Sequence, residues 1–368
     1  MVETDPASNH FVMPAEWAPH QRTFVSWPVP DSLVYPDRRA EVEAWYAQLL
    51  LAITEFEPVT VLVNPGQEEA VRLAIATLKP ARQSAGTTAG QRSTLAGGLH
   101  TIEFLAIPHN DAWLRDNGPT FLKNPAGHLA GVCWRFNAWG GKYMPFDLDA
   151  HVAPQLLAQT GVRRYDAPLV LEGGSFHVDG EGTLLTTEEC LLNPNRNPDL
   201  SREEIESLLR RYLGVAKIIW LRRGLAGDET DGHVDNVACF AAPGRVIMQI
   251  ATDPTDENTA IAAENLRILP AATDARGRAL EVIPIPQPPR AEFRGRRLTL
   301  SYVNFCFVNG GIILPVFGGS AADTDAQAAR ILQDLFPGRR IRRIDGQAII
   351  PEGGNVHCTT QQMPEGFV

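Results

Sequence analysis

The feature that most constrains the fold is a repeated pattern of elements. Four times, two β-rich runs flank a glycine-bearing turn, and a helical pattern and a short apolar run follow. The hairpins read at Phe121–Phe136 around Asn124-Pro125-Ala126-Gly127 and at Val170–Thr187 around Val178-Asp179-Gly180. Two more read at His233–Ile250 around Ala242-Pro243-Gly244 and at Leu298–Phe317 around Asn309-Gly310-Gly311. The spacing predicts helices over Asp149–Thr160, Ser201–Leu213, Asp256–Leu269 and Asp323–Phe336. Ser201 and Glu204 have the spacing of a capping box. The closing strands read at Ala167–Leu171, Lys217–Leu221, Glu281–Ile285 and Arg340–Ile344.

The two ends supply the parts of a fifth unit. Thr23–Trp27 and Gly354–Cys358 are expected to pair, with a helix over Arg38–Phe56 and a strand at Val59–Val63. Five strand-strand-helix-strand units closed in this way make an α/β fold with a pseudo-fivefold ring and one central pocket, a single catalytic domain over 1–368. A generic α+β domain with ordinary hairpins is the alternative. Gln83–Gly98, rich in Ser, Thr, Gly and Ala, reads as a surface insertion, and the proline-rich Ile285–Arg290 as an extended connector.

Composition narrows the functions open to such a ring. A 44% hydrophobic, 21% charged chain has the apolar content for a globular core. It contains no run of about eighteen apolar residues, so no membrane span or membrane partner is expected. The net charge of −10 argues against nucleic acid as a partner and suits a small cationic ligand. Five cysteines, widely spaced and with no Cys-x-x-Cys, exclude a disulfide scaffold and a zinc ribbon. The polar, acidic start from Met1 to Pro6 lacks the basic and apolar regions of a signal peptide. A cytoplasmic enzyme is the expectation.

Four motifs carry side chains able to do chemistry. Glu352-Gly353-Gly354-Asn355-Val356-His357-Cys358 places two glycines, which let backbone approach a ligand, ahead of a thiol in a polar setting. Cys133, Cys239 and Cys306 lie in apolar runs and read as packing residues, while Cys190 gives no signal. If Cys358 ends a strand and faces the pocket, His357 faces away, and the base must come from elsewhere. Asp228-Glu229-Thr230-Asp231-Gly232-His233-Val234-Asp235-Asn236 offers an imidazole and a carboxylate two apart, on one face if the segment is a strand. That pair suits acid–base work or metal ligation, and the segment also reads as a solvated acidic turn.

The third motif, Asp111-Ala112-Trp113-Leu114-Arg115-Asp116-Asn117-Gly118-Pro119, offers Asp116 to grip a planar cation and Trp113 as an apolar wall; an ordinary turn-stabilising Asp–Arg pair is the alternative. The fourth, Glu172-Gly173-Gly174-Ser175-Phe176-His177-Val178-Asp179, echoes the first, with Glu172 a pocket carboxylate or a turn residue. One thiol, one imidazole and three or four carboxylates suit a guanidinium, which is planar, cationic and a donor on every nitrogen. Its resonance-stabilised carbon needs to be held and oriented before a thiolate can attack it.

At these motifs the sequence resembles the agmatine deiminase family, relatives of the bacterial peptidyl-arginine deiminases in the guanidino-group-modifying (pentein) superfamily. Matching stretches run along nearly the whole chain. They include Met13–Trp17, Trp113–Thr120, Phe136–Tyr143, Leu171–His177, Gly227–Asn236, Ser301–Phe305 and Gly353–Gln362. The resemblance implies a five-bladed α/β-propeller and hydrolysis of agmatine to N-carbamoylputrescine and ammonia, with no cofactor or metal. It implies Cys358 as nucleophile, His233 as general acid and base, Asp116 and Asp235 as the guanidinium clamp, and Glu172 as support for His233. Glu229 would meet the distal amine and Trp113 the methylene chain, with Gly353 and Gly354 at the substrate. The oligomeric state is left open, a homo-oligomer included.

Two departures stand out. The family usually has a third glycine where Glu352 stands and often a β-branched apolar residue where Thr359 stands. Apart from these, the Gln83–Gly98 stretch is longer than the family's usual connection. Three rivals share the motifs: a peptidyl-arginine deiminase with the same warhead and an open pocket, a metal-dependent hydrolase, and a silent binder of arginine-like cations. The metal reading would use His177, Asp179, His233 and Asp235. Glu229 argues against a peptide substrate, which has no free amine at that end.

Overall fold

The computed structural model describes residues 5–32, 34–78 and 99–368. The repeating pattern becomes sheets of one construction: an antiparallel pair, then a helical connection, then a third strand parallel to the second. Thr120–Lys123 pairs with Leu129–Arg135, which takes Arg163–Val170 in parallel. Phe176–Val178, Thr183–Thr187 and Lys217–Leu221 repeat the order. So do Ala238–Ala242, Arg245–Ile250 and Glu281–Pro286. Cys306–Val308, Gly311–Val316 and Arg340–Asp345 make the fourth sheet.

Both ends of the chain build the remaining sheet. Thr360–Pro364 runs antiparallel to His20–Ser26, which pairs in parallel with Val59–Val63 and through it with Ile102–Ala106. The last strand and the helix Glu68–Leu78 before it extend this sheet beyond the pattern of the other four. A two-stranded hairpin, Glu292–Phe293 with Arg296–Arg297, belongs to none of these sheets.

The helices form where local signals and burial agree. Ser201 accepts from the Glu204 N–H while the Glu204 carboxylate accepts from the Ser201 N–H, and Arg202–Leu213 follows. Ile205, Leu209 and Leu213, four apart, bury one face against a core that includes Phe176 and Leu184, and Gly214 ends the helix at φ +68°. Truncating Leu209 to alanine there costs about 2–5 kcal/mol. Asp256 caps Glu257–Ile268 by accepting the Asn258 N–H on its side chain. No helix of the described residues is long and apolar enough to cross a membrane.

Two details differ from the sequence reading. The strand that pairs with the N-terminal one is Thr360–Pro364, not Gly354–Cys358. Gly353 turns the chain at φ +102°, and Asn355 accepts the Val356 N–H at 3.1 Å. One helical turn, Val356–Thr359, follows, and the hydroxyls of Thr359 and Thr360 both bond the Val356 carbonyl. Extended pairing therefore begins only after the cysteine. Val170 ends the strand Arg163–Val170 instead of opening the next hairpin, which starts at Phe176. The expected insertion Gln83–Gly98 lies outside the described residues, and Gln287–Arg290 of the proline-rich stretch has no regular structure.

Candidate active site

Each sheet hands the chain to the next through a turn, and the motifs lie in these turns. Trp113 and Asp116 follow Ile102–Ala106, Glu172 and Gly174 follow Arg163–Val170, and His233 and Asp235 follow Lys217–Leu221. Asn304 follows the strand Glu281–Pro286, and Gly353–Cys358 follows Arg340–Asp345. All five junctions thus contribute to one buried cluster.

Cys358 is 4% exposed and sits in the first turn of its short helix. Asn304 Nδ2 donates to its Sγ at 3.1 Å, and Asp235 Oδ2 lies 3.5 Å from the sulfur. Burial, followed by the Asp235 and Asp116 carboxylates, pushes the thiol pKa well above its ordinary value, against weaker help from the Asn355 backbone and Asn304. Both effects favour the neutral thiol over the thiolate.

The expected strand at His233 and Asp235 is a turn. Asp231 and Gly232 take φ of +62° and +92°, and Val234–Asn236 forms a 3₁₀ turn because Val237 N–H bonds back to the Val234 carbonyl. His233 precedes that turn and Asp235 lies within it, so the two do not share a strand face. His233 Nε2 lies 3.5 Å from Glu172 Oε2 and Nδ1 lies 3.8 Å from Asp116 Oδ1. Burial opposes charge on His233, but Asp116 first, then Cys190 and Glu172, outweigh it and raise its pKa well above the usual value. Both ring nitrogens and Asp235 Oδ1 are buried without a hydrogen-bond partner among the described residues. Such groups are costly unless something polar fills the space between them.

Gly174 and Gly354 keep that space open. A Cβ on Gly174 would come within 2.6 Å of His233 Nδ1, 2.9 Å of Asp235 Oδ2 and 3.0 Å of Asp116 Oδ1. On Gly354 it would meet Trp113 Cζ3 at 2.6 Å and Cys358 Sγ at 3.1 Å. The Gly174 N–H also donates to Asp116 Oδ1, and Trp139 Nε1 donates to Asp116 Oδ2 at 2.9 Å. Burial, with the like charges of Asp235 and Glu172, still wins over His233, and the Asp116 carboxyl is pushed up to about 6. Asp235 goes the other way: burial raises its pKa, but the His357 hydrogen bond and charge hold it below the usual range.

Outward from the sulfur, a pocket is walled by Trp113, Trp139 and Tyr143 and edged by Glu229, Glu352 and Gly353. Tyr143 donates to Glu229 Oε2 at 3.0 Å. An apolar tunnel with buried carboxylates at its base and a carboxylate at its mouth fits a slender dication.

Known proteins match this arrangement along its length. The family model described as Porphyromonas-type peptidyl-arginine deiminase matches residues 12–364. An agmatine deiminase of Stutzerimonas stutzeri is 44% identical over 391 residues, covering 100% of this chain and 99% of that one. The chain belongs to the agmatine deiminase family. Among solved structures, the agmatine deiminase of Enterococcus faecalis caught catalysing its reaction has a TM-score of 0.86 at 35% identity, with 99% of each chain covered. A Cys-to-Ser agmatine deiminase of C. jejuni with substrate bound has a TM-score of 0.79 at 26% identity, with 97% of each covered.

Within this agmatine deiminase scaffold, several contributors lie in stretches that carry the resemblance but had no assigned role. Glu16, from Met13–Trp17, receives His357 Nε2 at 2.9 Å, Arg115 Nη1 at 3.3 Å and His177 Nε2 at 3.5 Å. His357 Nδ1 then bonds Asp235 Oδ2 at 2.8 Å, so the side chain is that of a fully partnered histidine that links two carboxylates. Asn304 and Trp139 were also present in quoted stretches. Arg196 gave no motif signal: its Nε donates to Glu172 Oε1 at 2.8 Å, and its Nη1 and Nη2 hold Asp231 Oδ2 and the Thr230 carbonyl.

The metal reading is not supported by how its residues are used. His177 Nδ1 accepts the Phe240 N–H while Nε2 faces Glu16. Asp179 gives its oxygens to Glu181 N–H and to the N–H and hydroxyl of Thr183. Among the described residues, only Glu172, Cys190 and His233 bring three ligand atoms within 4.8 Å of one another. Arg196 already neutralises Glu172 there, which makes the trio a poor cradle for a cation.

Proposed function

We propose that the chain hydrolyses agmatine to N-carbamoylputrescine and ammonia through an amidino-thioether on Cys358, as a hydrolase of polyamine metabolism. The observation that carries this reading is the buried, unpartnered Asp235 Oδ1, on a carboxylate whose other oxygen lies 3.5 Å from Cys358 Sγ. A guanidinium supplies donors on every nitrogen to carboxylates so placed. The Cys-to-Ser relative that holds its substrate supports a thiol nucleophile.

In the proposed sequence Asp116 and Asp235 clamp the guanidinium and turn its carbon toward Sγ. The bound cation offsets the carboxylates that keep the thiol neutral, and the thiol loses its proton to solvent. The thiolate forms the C–S bond, His233 donates a proton to the departing nitrogen, and the C–N bond breaks to release ammonia. Neutral His233 then takes a proton from water as its oxygen adds to the same carbon. Cleavage of the C–S bond returns the thiolate and leaves the ureido product. Glu172, fixed by Arg196, supports the imidazolium; Trp113 lines the methylene chain, Gly353 and Gly354 shape the rim, and Glu229 meets the distal amine.

We also read the five sheets as blades of a pseudo-fivefold α/β-propeller forming one domain. The shared strand order and the five contributing junctions support this. Five buried, unpaired thiols support a reducing, cytoplasmic setting. The experiment is ammonia release from agmatine, arginine and an arginine peptide by the wild type and Cys358→Ala, with and without chelator. Agmatine turnover that survives chelation and is abolished by Cys358→Ala is expected. Preferred turnover of the peptide overturns the role of Glu229, and metal-dependent activity indifferent to Cys358 overturns the mechanism.

A further inference from the structure

Glu229, to which the proposed reading assigns the substrate's distal amine, already holds a cation. Arg296 Nη1 is paired with Glu229 Oε1, and Arg296 Nη2 donates to the Pro351 carbonyl beside the pocket edge. Arg296 comes from the hairpin that stands outside the sheets, and that hairpin is pinned on both sides of it. Arg297 Nη2 bonds Asp256 Oδ1 and Oδ2 at 2.7 and 2.8 Å, and Leu298 N–H bonds the Ala291 carbonyl at 3.0 Å. The Arg38 guanidinium stacks 5.2 Å from the Phe293 ring centre and pairs with Glu352.

The two neighbouring arginines differ in freedom. The Arg297 side chain is 14% exposed and fixed; that of Arg296 is 45% exposed and only its head is held. A guanidinium in that position can leave Glu229 for water while the hairpin stays in place, because the Arg297, Leu298 and Phe293 contacts still hold it. We propose that Arg296 is a specificity-determining residue, a resident counter-ion that occupies Glu229 in the free enzyme and yields it to the ammonium of the bound substrate. This rests on the proposed role of Glu229. A guanidine whose tail carries no charge leaves the pair intact. An amine-tailed one must displace Arg296, and so binds less tightly than the clamp and Glu229 alone would allow.

The test compares KM for agmatine with KM for N-butylguanidine, which has the same chain without the amine, at low salt. Arg296→Gln is expected to lower the agmatine KM relative to that of N-butylguanidine by about two- to fivefold, the range of an exposed ion pair. Arg296→Lys keeps the ratio near that of the wild type. Arg294→Gln removes the same charge from the same hairpin, where the side chain is 65% exposed and faces Asp37, and leaves the ratio unchanged. Glu229→Gln raises the agmatine KM selectively, and adding Arg296→Gln to it changes the ratio no further. An effect of Arg296→Gln that persists in the Glu229→Gln background, or that Arg294→Gln reproduces, overturns the proposal while leaving the role of Glu229 standing. Failure of Glu229→Gln to change the ratio overturns both.

Discussion

The chain writes Glu-Gly-Gly-x-x-His twice, at Glu172–His177 and Glu352–His357, and folds the two copies differently. In the first, a 3₁₀ turn covers Gly173–Ser175 and a strand starts at once at Phe176. In the second, the 3₁₀ turn comes before the glycines, at Ile350–Glu352, and a helical turn follows them. Glu172 is driven inward against Arg196 and His233, whereas Glu352 stays at the pocket edge, paired with Arg38. The histidines nevertheless converge: His177 and His357 both point a ring nitrogen at Glu16. In the proposed mechanism one copy prepares the imidazole and the clamp, and the other delivers the thiol. A shared motif fixes where the chain passes the centre, and the residue after the glycines decides what it presents there.

Adding one methyl group to each copy is the strongest way to break this comparison. Gly174→Ala and Gly354→Ala should each lower kcat/KM by about a hundredfold or more, since displacements near 1 Å at reacting groups have that effect. Circular dichroism should show both folded. Near-normal activity in Gly174→Ala would remove the first copy from the site. Glu16→Gln acts on both copies together. Burial disfavours the Glu16 charge, but His357, Arg115 and His177 hold its pKa well below the usual range. Removing that charge should therefore destabilise the protein by about 3 kcal/mol, as breaking a buried ionic group does, measured by urea unfolding.

The smallest expected effect separates the clamp from its neighbour by pH. With the Asp116 carboxyl at about 6, kcat/KM for agmatine should fall on acidification through that value, by about tenfold per pH unit below it. Glu172, whose pKa Arg196 and His233 hold low despite burial, should add no limb there. The sign for stability is the reverse of the usual carboxylate. The folded state keeps the Asp116 proton from 3.8 up to about 6, so this group's contribution declines as pH rises across that window. An acid limb unchanged in Asp116→Glu and lying well below 5 would sink the assignment.

Much of the fold was legible because its signals are local. Hairpin turns, the Ser201 and Asp256 caps and the buried stripe of Ile205, Leu209 and Leu213 each fix an element without help from distant residues. The junctions were read less well. Period-two reasoning put Cys358 and His233 on strands, yet neither segment has a strand partner, and single bonds from Asn355 and Val237 are enough to curl them. Contacts that depend on the closed chain left no local trace. Glu16 meets His357 across 341 residues, and Arg196 meets Glu172 across 24 residues that include a whole hairpin. Cys190 gave no signal because its neighbours Glu189 and Leu191 say nothing of the His233 ring that folding brings beside it.

The carboxylates around Cys358 have a consequence for the protein's chemistry in air. Peroxide attacks thiolates, not thiols, and needs access to them. Burial raises the pKa of all five thiols, Cys133 and Cys306 to about 12, and at Cys358 two aspartates add to it. Folding therefore disfavours the thiolate at all five cysteines, and unfolding opens these thiols to oxidation. In the proposed mechanism the thiolate forms only while the substrate cation covers it, so the agent that awakens the nucleophile would also shield it from oxidants.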